Sequence, residues 1–302
     1  MIARTLLVAT GAALMSACAT AAPARLDLET APDTLTAMRK IMCSTIDEKP
    51  VTYAWHGAAY SRKQGEKDKL LFNVEGMNIR QCTRVEDETR GVGYKLVSRE
   101  LLIYVDPETN EALATWDNPW TGETVDVLHV ANDPVNFTAY ETGRDGSPAT
   151  FRGSIQGDKW WMTNTVPLWY PNVLGGEYQA EVGGVYHATE MFNFFGDMED
   201  LTDPELDTAS VWVGWSRMSD WLPWMKMSGR EGVIYMHTAG RKLDAFEDMS
   251  DLLKSEIETH YPGYASPPPA NDDRRNETSW IYYQRVRDGE RVAPDRGGAA
   301  VE

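Results

Sequence analysis

His129 and Asp133 are the residues of this chain whose types and spacing point most directly to chemistry. They lie in WDNPWTGETVDVLHVANDPVN, residues 116–136, which sets a histidine among carboxylates, amides and two tryptophans. The apolar alternation inside it predicts a strand over 124–130, with Val125, Val127 and His129 on one face and Asp126 on the other. Pro134 cannot donate to a ladder, and Asn132-Asp133 favours a turn. The strand therefore stops with Asp133 at its rim, in phase with His129. A carboxylate that orients an imidazole tunes it as a general base near neutral pH. The competing expectation is a core histidine beside a turn-forming aspartate.

Glu100 adds a third titratable group. It falls in phase with Tyr94, Leu96, Leu102 and Tyr104, a row otherwise apolar apart from Ser98. A carboxylate there either meets a cation or has a raised pKa, because burial disfavours its charged form. Arg80 and Arg152 are the candidate cations, and a structural ion pair at a strand end is the plainer outcome. Around this trio Asn78, Arg80, Asn118 and Asn132 could orient polar groups of a substrate. Trp116, Trp120, Trp169 and Tyr104 offer aromatic surface for its apolar part.

Other chemistries lack their signatures. No HExxH, CxxC, phosphate-binding loop or dinucleotide-binding glycine pattern occurs. Gly214-Trp215-Ser216-Arg217-Met218 begins like a nucleophile elbow but lacks the closing glycine and the strand-to-helix setting. His129, His187 and His237 could meet across three strands, yet their spacing is not that of a metal site. The expectation is catalysis with no cofactor and no metal.

The elements that must position these groups follow from periodicity. From Val51 onward apolar residues recur with period two, in runs separated by short polar or Gly/Pro segments. Strands are predicted over 53–60, 70–82, 94–105, 112–116, 124–130, 149–156, 159–166, 178–195, 209–218 and 232–238, and the short connections make neighbours antiparallel. A helix is expected from Asp33, with Leu35, Met38, Met42 and Ile46 as its stripe. Another is expected from Asp244, whose Glu247 resembles a capping box ahead of Phe246, Met249, Leu253, Ile257 and Tyr261. Residues 279–286 read as a last strand or an arm, and those beyond Asp288 as disordered.

The strand carrying Glu100 is apolar on both faces, since Val97, Leu101, Ile103 and Val105 oppose the row that Glu100 joins. A filled interior and an outer layer are therefore both required. The fold expected is mainly β: an antiparallel, closed or nearly closed β-barrel of the lipocalin kind with two flanking helices. A two-sheet β-sandwich is the alternative. The barrel is expected to occupy 33–265 as one domain, followed by a Pro-rich, charged arm and tail at 266–302.

Charge and leader bound the setting. The 302 residues carry a net charge of −17, which disfavours nucleic acid and anionic membrane surfaces as partners. Arg4 followed by an apolar run at 6–15, too short to span a bilayer, reads as a secretory signal within 1–24. Leu14-Met15-Ser16-Ala17-Cys18 looks like a lipobox, with Met15 where leucine is usual. A periplasmic protein anchored by lipid on Cys18 is expected, with cleavage after the alanine-rich stretch 19–24 as the alternative. Cys43 and Cys82 remain in an oxidising setting. A disulfide between them would contribute about 3–4 kcal/mol in the loop-entropy model; two buried thiols are the alternative.

Four runs carry a family resemblance: LFNVEGMNIRQC from Leu71, VSRELLIYVDPETNE from Val97, the run from Trp116 given above, and WSRMSDWLPWMKMSGREG from Trp215. They resemble a bacterial and fungal family known as domain of unknown function 1838. The resemblance implies one integrated domain and transfers no catalytic role. The functional expectation is an exported protein that takes a small, partly apolar molecule into its interior. It would act there through His129, Asp133 and Glu100 in a lyase, isomerase or hydrolase type of reaction. A non-catalytic lipocalin-like carrier and a structural envelope lipoprotein are the alternatives.

Overall fold

The computed structural model describes residues 24–171, 185–227 and 230–295. The expected signal segment with Cys18, the start of the strand expected at 178–195 and the end of the tail lie outside the described residues. Among the described residues the chain is mainly β. Its strands are β1 (Val51–Arg62), β2 (Lys69–Asp87), β3 (Gly91–Val105), β4 (Thr115–Asp117), β5 (Thr124–Asp126), β6 (Val130–Asn132), β7 (Phe137–Tyr140), β8 (Ser154–Gln156), β9 (Lys159–Pro171), β10 (Val185–Asp197), β11 (Trp212–Ser219) and β12 (Val233–Lys242). Ten of them form one sheet in the order β6-β3-β2-β1-β12-β11-β10-β9-β8, with β7 also on β3, while β4 and β5 pair separately. Every pairing is antiparallel.

The β1–β12 ladder joins the two halves of the chain. A Cβ on Gly57 would lie 2.1 Å from the His237 carbonyl oxygen, and one on Gly240 2.0 Å from that of Ala54. Glycine is what lets the backbones approach there. On β2 and β3, Phe72, Val74, Leu102 and Tyr104 pack inward with Trp116, Val125 and Trp224. Met77, Ile79, Leu101, Ile103 and Val105 pack outward under Leu253 and Ile257. The two-faced apolar pattern of β3 thus finds both an interior and an outer layer.

Helices supply that layer and a brace. Helix α1 (Ala31–Met42), N-capped by Thr30, sets Ala37 and Ile41 against Tyr53 of β1 and Phe194 of β10. Cys43, just past its end, is disulfide-bonded to Cys82 of β2 with Cα atoms 6.0 Å apart. A short helix α2 (Met198–Thr202) follows β10, and α3 (Asp251–His260) covers the outer face.

Four expectations need correction. The capping box at Asp244 does not start a long helix, because Phe246–Asp248 is a 3-10 turn and Ser250 caps α3 through Leu253 N at 3.2 Å. The segment at 279–286 is helical, α4 (Ser279–Arg287), capped by Thr278; its aromatic run had imitated a strand. The chain past Asp288 is held at Arg291, which donates to Glu277 at 2.7 Å. The strand expected at 124–130 is two short ones, β5 and β6, with Val127, Leu128 and His129 between them.

Candidate functional site

Two walls of the sheet put polar side chains into one space. On the first, Asn78 of β2 lies opposite Glu100 of β3, and Glu100 lies opposite Asn132 of β6. Residues two apart on a strand share a face, so Arg80 joins them. On the second wall, Glu190 of β10 lies opposite Arg217 of β11, flanked in phase by Phe192 and Trp215. The walls face each other across a chamber of about 100 Å³ lined by Tyr53, Trp55, Arg80, Glu100 and Arg217, among others. A wider space of about 440 Å³ shares Arg80, Glu100, Asn132, Glu190 and Arg217 with it, and residues 276–280 line its outer side. There Trp280 of α4 packs on Tyr186 with ring centroids 4.0 Å apart. The volume suits a small organic molecule.

The two carboxylates live in different surroundings. Glu100 accepts from Asn78 Nδ2 at 3.1 Å and from Asn132 Nδ2 at 3.5 Å. Enclosure by protein pushes its pKa up and the negative charge of Glu190 adds to this, while Arg80 and the two amides oppose it. Glu190 instead meets Arg217 Nη1 at 3.0 Å.

The two arginines differ likewise. Arg80 donates through Nε to Asn78 Oδ1 at 2.6 Å and through Nη1 to Met42 Sδ at 3.8 Å, and its guanidinium lies 4.8 Å from the centre of the Tyr53 ring. No carboxylate stands at ion-pair distance from it among the described residues, and burial lowers its pKa. Arg217 is opposed by burial too, but the Tyr186 hydroxyl and Glu190 raise its pKa. It donates to both of them, while its Nε has no acceptor among the described residues.

His129 and Asp133 are not brought together with this cavity. His129 is buried, with 2% of its surface exposed, and stacks on Tyr104 at 5.6 Å; its Nδ1 accepts from Tyr104 N at 3.0 Å. Asp133 pairs with Arg99 at 3.1 Å and Arg274 at 2.6 Å. The expected orientation of His129 by Asp133 is therefore replaced. The irregular residues between β5 and β6 reset the alternation, so that Val130 and Asn132 point inward and Asp133 follows Ala131 outward.

The other expected binding residues divide in the same way. Asn78, Arg80 and Asn132 join Glu100 in the cavity. Asn118 is a loop staple, donating to Met225 O at 3.1 Å and accepting from Trp120 N at 3.0 Å. Trp116 and Tyr104 are core around Phe72 and Trp224. Trp120 lies against Trp221 and beneath Arg230. Trp169 is 71% exposed beside His187, away from the lining. Among the described residues no three His, Cys, Asp or Glu side chains are disposed to hold a metal.

Sequence reasoning missed Glu190, Arg217, Tyr186 and Trp280. The signal for Glu190 was present, since it interrupts the row Tyr186, Ala188, Phe192, Phe194 just as Glu100 interrupts its own. Arg217 stood in the segment set aside as a failed nucleophile elbow.

No curated protein matches the chain. The family described as "Protein of unknown function (DUF1838)" matches residues 48–287, most of the chain, and the protein belongs to it.

Proposed function

We propose that this protein takes a small, partly apolar molecule between its two walls and moves a proton on it, without a cofactor, through Glu100. The observation that carries the reading is the setting of that carboxyl. It is enclosed, held by two amides rather than by a salt bridge, and raised in pKa within a cavity large enough for a ligand. A carboxyl tuned upward can act as acid or base closer to neutral pH. Asn78, Asn132 and Arg80 orient polar groups of the substrate, and Phe192 and Trp215 hold its apolar part. The reaction is of lyase, isomerase or hydrolase type. His129 and Asp133 have no part in it.

The same proposal reads the curled sheet as a barrel left open between β7 and β9, with α1 bracing its inside. The opposing walls that share one cavity support this. It also places the protein outside the cytoplasm, anchored by lipid on Cys18, and the Cys43–Cys82 disulfide supports that setting.

The test is incubation of purified wild-type protein and Glu100→Gln with a metabolite extract, followed by mass spectrometry. A compound depleted by wild type, but only bound by the variant, is the expected result. Equal depletion by both would remove Glu100 from the mechanism. Recovery of a bound compound chemically unchanged from wild type would make the protein a carrier.

A further inference from the structure

Basic groups gather along one line of this acidic chain. A groove of about 640 Å³ between β7 and β9 is lined by Arg90, Arg144 and Arg152 and, among the described residues, by no carboxylate. Arg90 is paired with Asp87. Arg144 and Arg152 are exposed and make no ion pair among the described residues, though the Asp145 carboxylate lies near enough to act on Arg152. The groove shares Met42, Phe137 and Asn164 with the wider cavity, so the two spaces adjoin.

Within the cavity the charged groups are not all in contact pairs. Glu190 is taken by Arg217, and Glu277 at the outer side by Arg285 and Arg291. Glu100 is turned to the amides of Asn78 and Asn132 and makes no ion pair among the described residues. Arg80 is half-buried and touches no carboxylate among the described residues, Glu100 acting on it only across Asn78, and Arg217 keeps an unused Nε donor. An enclosed cation is stabilised by an anion that reaches it, and a planar guanidinium matches a carboxylate. The walls behind them are aromatic: Tyr53, Trp55, Phe192 and Trp215.

We infer that the ligand is an organic anion, a carboxylate on an apolar or aromatic body, whose head group is held by Arg80 and Arg217 and which approaches along the Arg144–Arg152 groove. This deepens the proposed function and rests on its reading of the cavity as a binding site. A groove in which basic side chains predominate focuses the field on an approaching anion and speeds its capture, even on a protein whose net charge repels it.

The test uses 4-phenylbutyrate and its neutral isostere 4-phenylbutanamide, titrated into the full chain and followed by tryptophan fluorescence. The acid is expected to bind at least about ten-fold more tightly than the amide. Arg80→Gln abolishes that preference, and Phe192→Ala weakens both probes. Arg144→Gln with Arg152→Gln, at exposed positions that keep the fold, slows association of the acid at low salt and leaves the amide unchanged. Equal binding of acid and amide by wild type would overturn the anion and leave the cavity reading standing. Binding of neither probe at millimolar concentration would overturn both.

Discussion

On the β10–β11 wall Arg217 and Glu190 meet at 3.0 Å, whereas on the β2–β3 wall Asn78 stands between Arg80 and Glu100. The amide donates to the carboxylate and accepts from the guanidinium, so the same two charge types are bridged without touching. On the second wall the charges neutralise each other, and the pair acts as a clamp between strands. On the first, Glu100 keeps a raised proton affinity and Arg80 keeps its charge for something else. Residue type alone did not distinguish these cases. The side chain placed between them did.

Breaking the clamp should have the largest effect. Arg217→Met leaves Glu190 with 20% of its side-chain surface exposed and no cation. The expected loss is about 3 kcal/mol in urea unfolding, near the lower end for breaking a buried pair because Glu190 is not fully enclosed. A loss too small to measure would mean that the pair is not a clamp.

Next comes a control outside both walls. His129→Ala leaves the buried Tyr104 amide without its acceptor, and a cost of about 1–3 kcal/mol follows. Turnover of any substrate depleted by wild type stays the same per folded molecule. A collapse of turnover at full folding would return His129 to the mechanism.

Arg80→Met should be gentler on stability than Arg217→Met, at about 1–2 kcal/mol, since the buried Asn78 Oδ1 loses its donor but no carboxylate is stranded at ion-pair distance. Destabilisation equal to that of Arg217→Met would show that the walls are alike after all.

The smallest effect is a pH dependence. Glu100 has a folded pKa above its unfolded one, so the native state binds the extra proton between those two values. The associated stability is fully present below the ordinary carboxylate range and is lost as pH rises through the folded pKa. Glu100→Gln lacks this loss. Melting temperatures of the two proteins should therefore converge near about pH 4 and separate in favour of the variant at higher pH. Separation in the opposite direction would mean that the folded pKa is depressed.

Much of the first wall was legible beforehand. Glu100 stands out because one carboxylate breaks an apolar row, and Arg80 was one of two candidate cations for it, Arg152 being the other; the structure sets Arg80 beside it and Arg152 in the groove between β7 and β9. The second wall obeyed the same rule through Glu190 but drew no notice, since its partner Arg217 sits on a different strand in a segment that looked like something else. His129 is buried, as its place in an apolar row predicts, while Asp133 turns away from it to Arg99 and Arg274. Period-two reasoning assumes an unbroken strand, and three irregular residues between β5 and β6 invert the phase of everything after them.

By itself the chain determined the local quantities: alternation, strand number in outline, helical stripes, the carboxylate that a buried row could not ignore, and the family. These depend on residues a few positions apart, where backbone geometry dictates which side chains share a face. The tertiary structure alone decided that β1 would pair with β12, bringing the two halves of the chain into one sheet, and that this sheet would turn β3 toward β10. Contacts of that range are set by the packing of whole faces and by close backbone approach at Gly57 and Gly240. No local pattern encodes them, and they are what put Glu100 and Glu190 into one cavity.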